Sequence, residues 1–181
     1  MIIGIEGGLG SGKTIMMVRY LVKDFLKHEK KIFSNFKLKK IKYKPLDVME
    51  ILEMDEGGFN LSDISCAIDE FTVFADCRTS MRKMNRFISY FILQTRKRNV
   101  TLYYTTQDFN MVDLRIINHT DIRIVAEKIL KPDGENYYEK FRKYTIYDLR
   151  DLRNLNWHSF SLNITPYFDY YDTNEVILPP L

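Results

Sequence analysis

A glycine-rich segment lies close to the start of the chain. Residues 7–14 are Gly7-Gly8-Leu9-Gly10-Ser11-Gly12-Lys13-Thr14. They fit the pattern G-x-x-x-x-G-K-T of a phosphate-binding P-loop, in which glycines let successive backbone N–H groups point at phosphate oxygens. Lys13 is expected to reach the β- and γ-phosphates of a nucleotide, and Thr14 to bind magnesium.

The flanks of this segment fit a P-loop, which requires a strand before it and a helix after it. The apolar run Met1 to Ile5 predicts a short buried strand, and Thr14 to Leu26 has apolar residues at helical spacing. The alternation continues, with strands expected at 31–36, 64–68 and 100–105 and from Ile122, and helices at 46–54, 81–95 and around Leu114. Strands alternating with helices predict an α/β fold with a mostly parallel sheet flanked by helices.

An acidic pair ends the third predicted strand. Asp69 and Glu70 follow the apolar run Ile64 to Ile68. A P-loop enzyme needs one carboxylate near magnesium and one base beside the attacking water, and these two residues suit those roles in that order. A solvated acidic pair at a strand end is the alternative, but the upstream P-loop favours the functional interpretation. Glu70 favours hydrolysis over nucleotide binding alone.

A polar segment ends the next strand, where parallel sheets place their ligands. Gln107 is therefore a candidate for sensing the γ-phosphate or orienting water. Arg96-Lys97-Arg98 lies just upstream, and one of its arginines is a candidate finger for a neighbouring subunit. The alternative is a basic helix end that complements the helix dipole.

The last third of the chain differs from the rest. The turn sequence at 131–136 separates two extended runs, 122–130 and 137–147, and predicts a long antiparallel hairpin. The tail from Trp157 to Leu181 is expected to be extended. We therefore expect one domain over 1–181, with a core over 1–126 and a hairpin and tail over 127–181.

Two stretches carry positive charge without any acidic residue. The first, 30–44, holds the DNA-binding candidates Lys37, Lys39, Lys40, Lys42 and Lys44; the second, 77–107, holds Arg82, Lys83 and Arg86. If the first stretch is a strand, Lys40, Lys42 and Lys44 share one face. Such clusters attract nucleic-acid phosphates without selecting sequence. A solvated basic face, or an edge strand protected by lysine, is the alternative.

Composition excludes several classes of protein. The chain has 181 residues, 45% hydrophobic and 28% charged, which excludes a wholly disordered chain. Two cysteines and three scattered histidines provide neither a disulfide framework nor a zinc cluster, so a reducing compartment is expected. The apolar runs are far shorter than the ~20 residues that span a bilayer, and no signal peptide is expected.

Together these residues resemble the HerA–FtsK superfamily of DNA-pumping ATPases. The likeness rests on the P-loop, the Asp69-Glu70 pair, and Thr106-Gln107 preceded by Arg96-Lys97. Within the superfamily the sequence is most similar to small viral genome-packaging ATPases and to zonular occludens toxin-type ATPases. Ser34-Asn35 and Tyr171-Asp172-Thr173 also fit that group.

The resemblance implies a RecA-like core, ATP with Mg²⁺, and double-stranded DNA as cargo. It also implies a ring, here expected to be a pentamer or hexamer, and a capsid or portal-like vertex protein as partner. It makes Gln107 the sensor and Arg96 the finger that acts on a neighbouring subunit. Zonular occludens toxin-type proteins commonly carry a membrane segment, and its expected absence favours packaging, in the host cytoplasm and transiently at the capsid.

Three other functions remain open. The first is a phage assembly ATPase that acts on a membrane export machine. The second is a small nucleotide kinase, although no lid insertion is evident in the sequence. The third is a nucleotide-binding module without hydrolysis, which Glu70 and Gln107 disfavour.

Overall fold

The computed structural model describes residues 1–47, 62–75, 97–134, 136–151 and 155–172, together with Ser89 and Ile92. Its strands are β1 (Ile2–Glu6), β2 (Lys31–Ser34), β3 (Tyr43–Pro45), β4 (Ile64–Ile68), β5 (Thr101–Thr106), β6 (Ile122–Leu130), β7 (Tyr137–Asp148) and β8 (Asn156–Asn163). The α-helices are α1 (Lys13–His28), α2 (Phe71–Ala75) and α3 (Leu114–Asn118). Two 3₁₀ helices span Phe109–Met111 and Thr165–Tyr170.

These strands form an eight-stranded sheet in the order β3-β2-β4-β5-β1-β6-β7-β8. Every pairing from β3 through β6 is parallel, and the β6–β7 and β7–β8 pairings are antiparallel. The predicted α/β class, the mostly parallel sheet and the antiparallel hairpin are therefore confirmed. Because β5, β1 and β6 are adjacent, the hairpin continues the sheet at the strand that carries the P-loop.

Burial explains why the central strands are apolar. All residues of β1, β4 and β5 are buried, as expected for strands covered on both faces. Side chains alternate between two apolar clusters, so that Ile2 belongs to one and Ile3 to the other. Helix α1 packs on the second face through Met16, Val18 and Leu21. The polar residues that follow β1 and β4 lie at the sheet edge where these two strands end.

The ends of α1 follow from local backbone chemistry. Gly12 is the N-cap residue with φ 95°, and Glu29 ends the helix with φ 51° while its N–H donates to the Asp24 carbonyl. Lys27 and His28 in the last turn complement the negative end of the helix dipole.

No helix in the described ranges is both long and apolar enough to cross a membrane.

The stretch around Lys40 differs from its prediction. Strand β3 contains Lys44 but neither Lys40 nor Lys42, and Lys40 has a left-handed φ of 64°. The expectation that these three lysines share one strand face is therefore wrong. The reason is a tertiary contact, since the Lys39 N–H donates to the Tyr170 carbonyl at 2.6 Å and Lys40 forms an ion pair with Asp169. The chain turns here to meet the C-terminal segment.

The C-terminal tail is only partly extended. Its first part forms β8, but residues 165–170 form a 3₁₀ helix with a proline in its first turn. At the start of this helix, the Thr165 N–H donates to the Asn163 side chain. Residues 173–181 lie outside the described residues, as do 48–54 of the expected helix at 46–54 and most of the helix expected at 81–95. The two described residues of the latter, Ser89 and Ile92, are helical, whereas Leu46 and Asp47 are not.

Candidate functional site

The glycine-rich loop joins β1 to α1 and lies against the hairpin strands. At Gly7, with φ 149°, a Cβ atom would lie 2.3 Å from the Ala126 carbonyl oxygen. At Gly12, with φ 95°, it would lie 2.7 Å from the Tyr144 hydroxyl oxygen. No L side chain fits either position, so these two glycines allow the loop to pack against β6 and β7.

The two polar residues that end the loop point into the site. Lys13 is only 6% exposed, and its Nζ donates to the Gly8 carbonyl at 3.2 Å. The Thr14 Oγ1 donates to the Asp69 carboxylate, at 2.9 Å from Oδ2. The loop and the end of β4 are therefore in direct contact.

Asp69 is a buried carboxylate held by two hydroxyl groups. Burial raises its pKa above the ordinary value, whereas the hydrogen bonds donated by Thr105 and Thr14 act in the opposite direction. The adjacent Glu70 has a left-handed φ of 50°, and its N–H donates to the Thr105 Oγ1 at 2.9 Å. Non-glycine residues held in this conformation are concentrated at functional sites, where the surroundings offset the strain. The Thr105 hydroxyl thus orders both acidic residues.

Asn35, at the end of β2, holds the Asp69 backbone. Its side-chain Oδ1 accepts from the Asp69 N–H at 2.8 Å, and its Nδ2 donates to the Asp69 carbonyl at 2.9 Å. In the sequence, Asn35 is marked only by the family resemblance, which implies no role for it. These two bonds fix the Asp69 backbone relative to the end of β2, and therefore the position of the Asp69 carboxylate.

We expect Asn35→Ala to destabilise the fold and displace Asp69. The change leaves a partly buried N–H and carbonyl without their partner, which typically costs about 1–3 kcal/mol. Chemical denaturation would measure this loss, and Mg²⁺-dependent nucleotide affinity should fall with it. Asn35→Asp is the comparison variant: it keeps the acceptor for the Asp69 N–H, loses the donor for the Asp69 carbonyl and places a negative charge beside that carbonyl. Unchanged stability in Asn35→Ala would show that the clamp has no energetic role.

A cavity of about 300 Å³ opens beside these residues. Its polar or charged lining includes Gly10, Lys13, Thr14, Asp69, Glu70, Arg142 and Asp172. Its apolar and aromatic lining includes Ile15, Phe36, Ile164, Phe168 and Tyr171. The C-terminal segment therefore forms a wall of the site. The Phe36 and Tyr171 rings pack edge to face at 6.4 Å, which joins this wall to the end of β2.

Arg142 and Tyr144 are site residues that the sequence analysis missed. Both lie on β7, where Arg142 Nε donates to the Gly10 carbonyl at 3.1 Å and the Tyr144 hydroxyl donates to the Gly12 carbonyl at 3.0 Å. The sequence has no arginine inside the P-loop or beside Asp69-Glu70, but the fold brings this one into the cavity. No local motif could reveal it, because 132 residues separate Arg142 from Gly10.

The other predicted residues fall outside the cavity wall or outside the described part. Gln107 is exposed after β5 and does not line the cavity. Arg96, Arg82, Lys83 and Arg86 lie outside the described residues, so their predicted roles stay predictions. Within the loop, Leu9 is 73% exposed, whereas Ser11 is buried and its Oγ has no hydrogen-bond partner among the described atoms.

The donor set fits magnesium better than a transition metal. Thr14 and Asp69 offer a hydroxyl and a carboxylate, and Mg²⁺ is usually held by one or two such protein oxygens together with substrate phosphates and water. Within the described ranges no group of three or more His, Cys, Asp or Glu residues could hold a metal ion. A nucleotide would complete the coordination that these two side chains begin.

The structure is similar to solved structures of P-loop proteins. The N-terminal domain of zonular occludens toxin from Neisseria meningitidis has a TM-score of 0.63 at 15% identity, over 94% of this chain and 98% of that one. The genome packaging NTPase B204 of Sulfolobus turreted icosahedral virus 2, in complex with ATP-gammaS, has a TM-score of 0.56 at 13% identity, over 87% and 96%. A KaiC-like protein from Pyrococcus horikoshii has a TM-score of 0.57 at 16% identity, over 88% and 84%.

These likenesses define the class of fold. No family model matches the sequence, and no curated protein matches it. The chain has a P-loop NTPase fold, and the resemblance to zonular occludens toxin and viral packaging proteins is confirmed at the level of the fold. Membership of the HerA–FtsK superfamily stays a prediction.

Proposed function

We propose that the chain binds ATP with Mg²⁺ and hydrolyses it. The observation that carries this proposal is a pair of buried cations, Lys13 and Arg142, that line one cavity. Neither forms an ion pair with a carboxylate among the described residues, although buried charges are normally paired. The carboxylates of Asp69, Glu70 and Asp172 line the same cavity, so a polyphosphate together with Mg²⁺ suits this mixed charge better than either ion alone.

The two kinds of side chain that line the cavity suit the two parts of a nucleotide. Lys13 and Thr14 lie at the N-terminus of α1, where backbone N–H groups and the helix dipole favour phosphate. Phe36, Phe168 and Tyr171 offer flat apolar surfaces for a base and a ribose. A bare phosphate or pyrophosphate would leave these aromatic side chains without a ligand.

The acidic pair supports hydrolysis as the reaction. When bound, Mg²⁺ neutralises charge that develops on the phosphates during phosphoryl transfer. Thr14 and Asp69 would hold the ion, Glu70 would accept the proton of the attacking water, and Lys13 would hold the β- and γ-phosphates. Gln107 as sensor and Arg96 as a finger on a neighbouring subunit remain parts of the proposal.

DNA movement is the proposed use of this hydrolysis. The fold shared with a viral genome packaging NTPase and the two basic stretches support a motor that packages double-stranded DNA into a capsid. The proposal includes one ATPase domain over 1–181, a ring of five or six subunits, a capsid or portal-like vertex partner, and action in the host cytoplasm. The likeness to a zonular occludens toxin domain supports the second candidate, a phage assembly or export ATPase.

ATPase turnover with and without duplex DNA tests these functions. A packaging motor should hydrolyse ATP faster with duplex DNA, and Lys13→Ala should abolish both rates. Turnover that DNA does not change would favour the export ATPase. Turnover that needs a nucleotide acceptor would indicate a kinase, and nucleotide binding without turnover would indicate a binding module.

The basic stretch 37–44 gives a prediction about DNA binding. Lys42→Glu with Lys44→Glu should weaken binding to any duplex sequence, and the slope of log affinity against log salt should shrink by roughly 0.9 for each DNA phosphate that the lysines no longer neutralise. Both lysines are exposed, whereas Lys40 is left intact because it forms an ion pair with Asp169. Lys23→Glu with Lys27→Glu, on the exposed face of α1, makes the same change in net charge and is the control. Equal effects of the two pairs would show a general charge effect instead of a DNA-binding surface.

A further inference from the structure

The guanidinium of Arg142 is held in place by backbone carbonyls. Nε donates to Gly10, while Nη1 donates to Tyr138 at 2.8 Å, Glu139 at 3.0 Å and Phe141 at 2.8 Å. The Tyr137 ring lies against it, with Cζ 5.5 Å from the ring centroid. The side chain therefore has one position before any ligand binds.

None of these four bonds gives Arg142 a negatively charged partner. All four acceptors are neutral carbonyl oxygens, although the residue is only 8% exposed. Among the described residues nothing accepts from Nη2, and this nitrogen is not among the fully buried atoms that lack a partner. Since Arg142 lines the cavity that holds Lys13 and Thr14, Nη2 is available to a ligand there.

We propose that Arg142 binds a phosphate of the nucleotide held by its own subunit. This inference rests on the proposed nucleotide function and adds a residue to it. Arginine suits the role because its planar fork can bond the loop carbonyl with one nitrogen and a phosphate oxygen with another. Arg142 would act beside Lys13 within one chain, and it needs no neighbouring subunit, unlike the proposed role of Arg96.

A purely structural role is the competing explanation. Arg142 and Tyr144 both bond carbonyls of the loop, so either substitution could loosen it. Tyr144→Phe removes one such bond without changing charge, and it therefore measures the effect of losing a contact between β7 and the loop. Arg142→Gln removes the charge and keeps a donor for the Gly10 carbonyl, whereas Arg142→Lys keeps the charge and loses the fork.

The test is the affinity of each full-length variant for the slowly hydrolysed analogue ATPγS, measured by titration calorimetry with Mg²⁺. Arg142→Gln should bind about tenfold to a hundredfold more weakly than the unsubstituted chain, the range for losing a hydrogen bond between charged groups. Arg142→Lys should retain clearly more affinity than Arg142→Gln, and Tyr144→Phe should lose less than Arg142→Gln. Thermal melting of the nucleotide-free variants checks that each one folds.

Two results would overturn the inference while leaving the proposed function intact. One is equal affinity in Arg142→Lys and Arg142→Gln, and the other is a loss in Tyr144→Phe as large as that in Arg142→Gln. If Arg142→Gln does not fold, the side-chain NMR signals of Arg142 in the unsubstituted chain decide, since ATPγS should shift them and unshifted signals refute contact. Absence of ATPγS binding by the unsubstituted chain would refute the proposed function and this inference together.

Discussion

Lys13→Ala is expected to weaken ATP binding by roughly a hundredfold or more and to abolish measurable turnover. The substitution removes a buried cation that is proposed to hold the β- and γ-phosphates, and breaking a buried charge pair costs about 3–5 kcal/mol. Lys13 is 6% exposed, and its bond to the Gly8 carbonyl is one that a bound phosphate would replace. Titration with ATPγS and a steady-state ATPase assay measure the two losses separately.

Lys30→Ala is the matched control for this experiment. Lys30 is also buried, at 7% exposure, but its Nζ donates to the Thr101 Oγ1 at 2.8 Å, near the start of β5 and away from the cavity. Its loss should lower stability without a specific effect on nucleotide. Near-normal ATPase in Lys13→Ala, or an equal loss of affinity in Lys30→Ala, would contradict the role given to the loop.

The part of the site that lies on consecutive residues could be predicted from sequence. The loop 7–14 and the pair Asp69-Glu70 each follow an apolar strand, and parallel strands end at one edge of the sheet. The contact between Thr14 and Asp69 follows from that topology alone. Periodicity likewise predicted β1, α1, β2, β4, β5, α3 and β6, because burial leaves a clear apolar signal, whereas β3 and α2 were not predicted.

The rest of the site depends on pairings between distant residues. Arg142 reaches Gly10 only because β7 pairs with β6 and β6 pairs with β1, and nothing in the local sequence around Arg142 marks it as a site residue. The aromatic wall depends on an equally distant bridge between Leu38 and Tyr171. The neighbouring bond from the Lys39 N–H to the Tyr170 carbonyl accompanies the turn at Lys40, which removes the alternation of lysines that a strand would have produced.

The geometry also explains why the two acidic residues should behave differently when substituted. The Asp69 carboxylate is buried and accepts from two hydroxyl groups, so its position is fixed before magnesium binds. Glu70 is only partly buried and lines the cavity. Thr105 fixes its backbone through the bond from the Glu70 N–H. A metal ligand should be fixed in position and a base should be accessible to water, and Asp69 and Glu70 differ in this way.

Glu70→Gln is expected to bind ATP normally and to hydrolyse it roughly 100-fold more slowly, or slower still, because the amide cannot accept a proton from the attacking water. The side chain keeps its size, and the strained backbone at Glu70 is held by Thr105 in both forms. Single-turnover hydrolysis, measured beside ATPγS affinity, separates chemistry from binding.

Two further variants define what the Glu70→Gln result means. Glu70→Asp retains a carboxylate on a shorter side chain and should recover part of the rate, whereas a purely steric role would leave it no better than Gln. Asp69→Asn should lose Mg²⁺-dependent affinity as well as turnover, because this residue is expected to act on the metal. If Glu70→Gln turns over at the normal rate, Glu70 is not the base. If Asp69→Asn is also normal, the pair is only the polar end of β4, and the proposal of hydrolysis at this site is wrong.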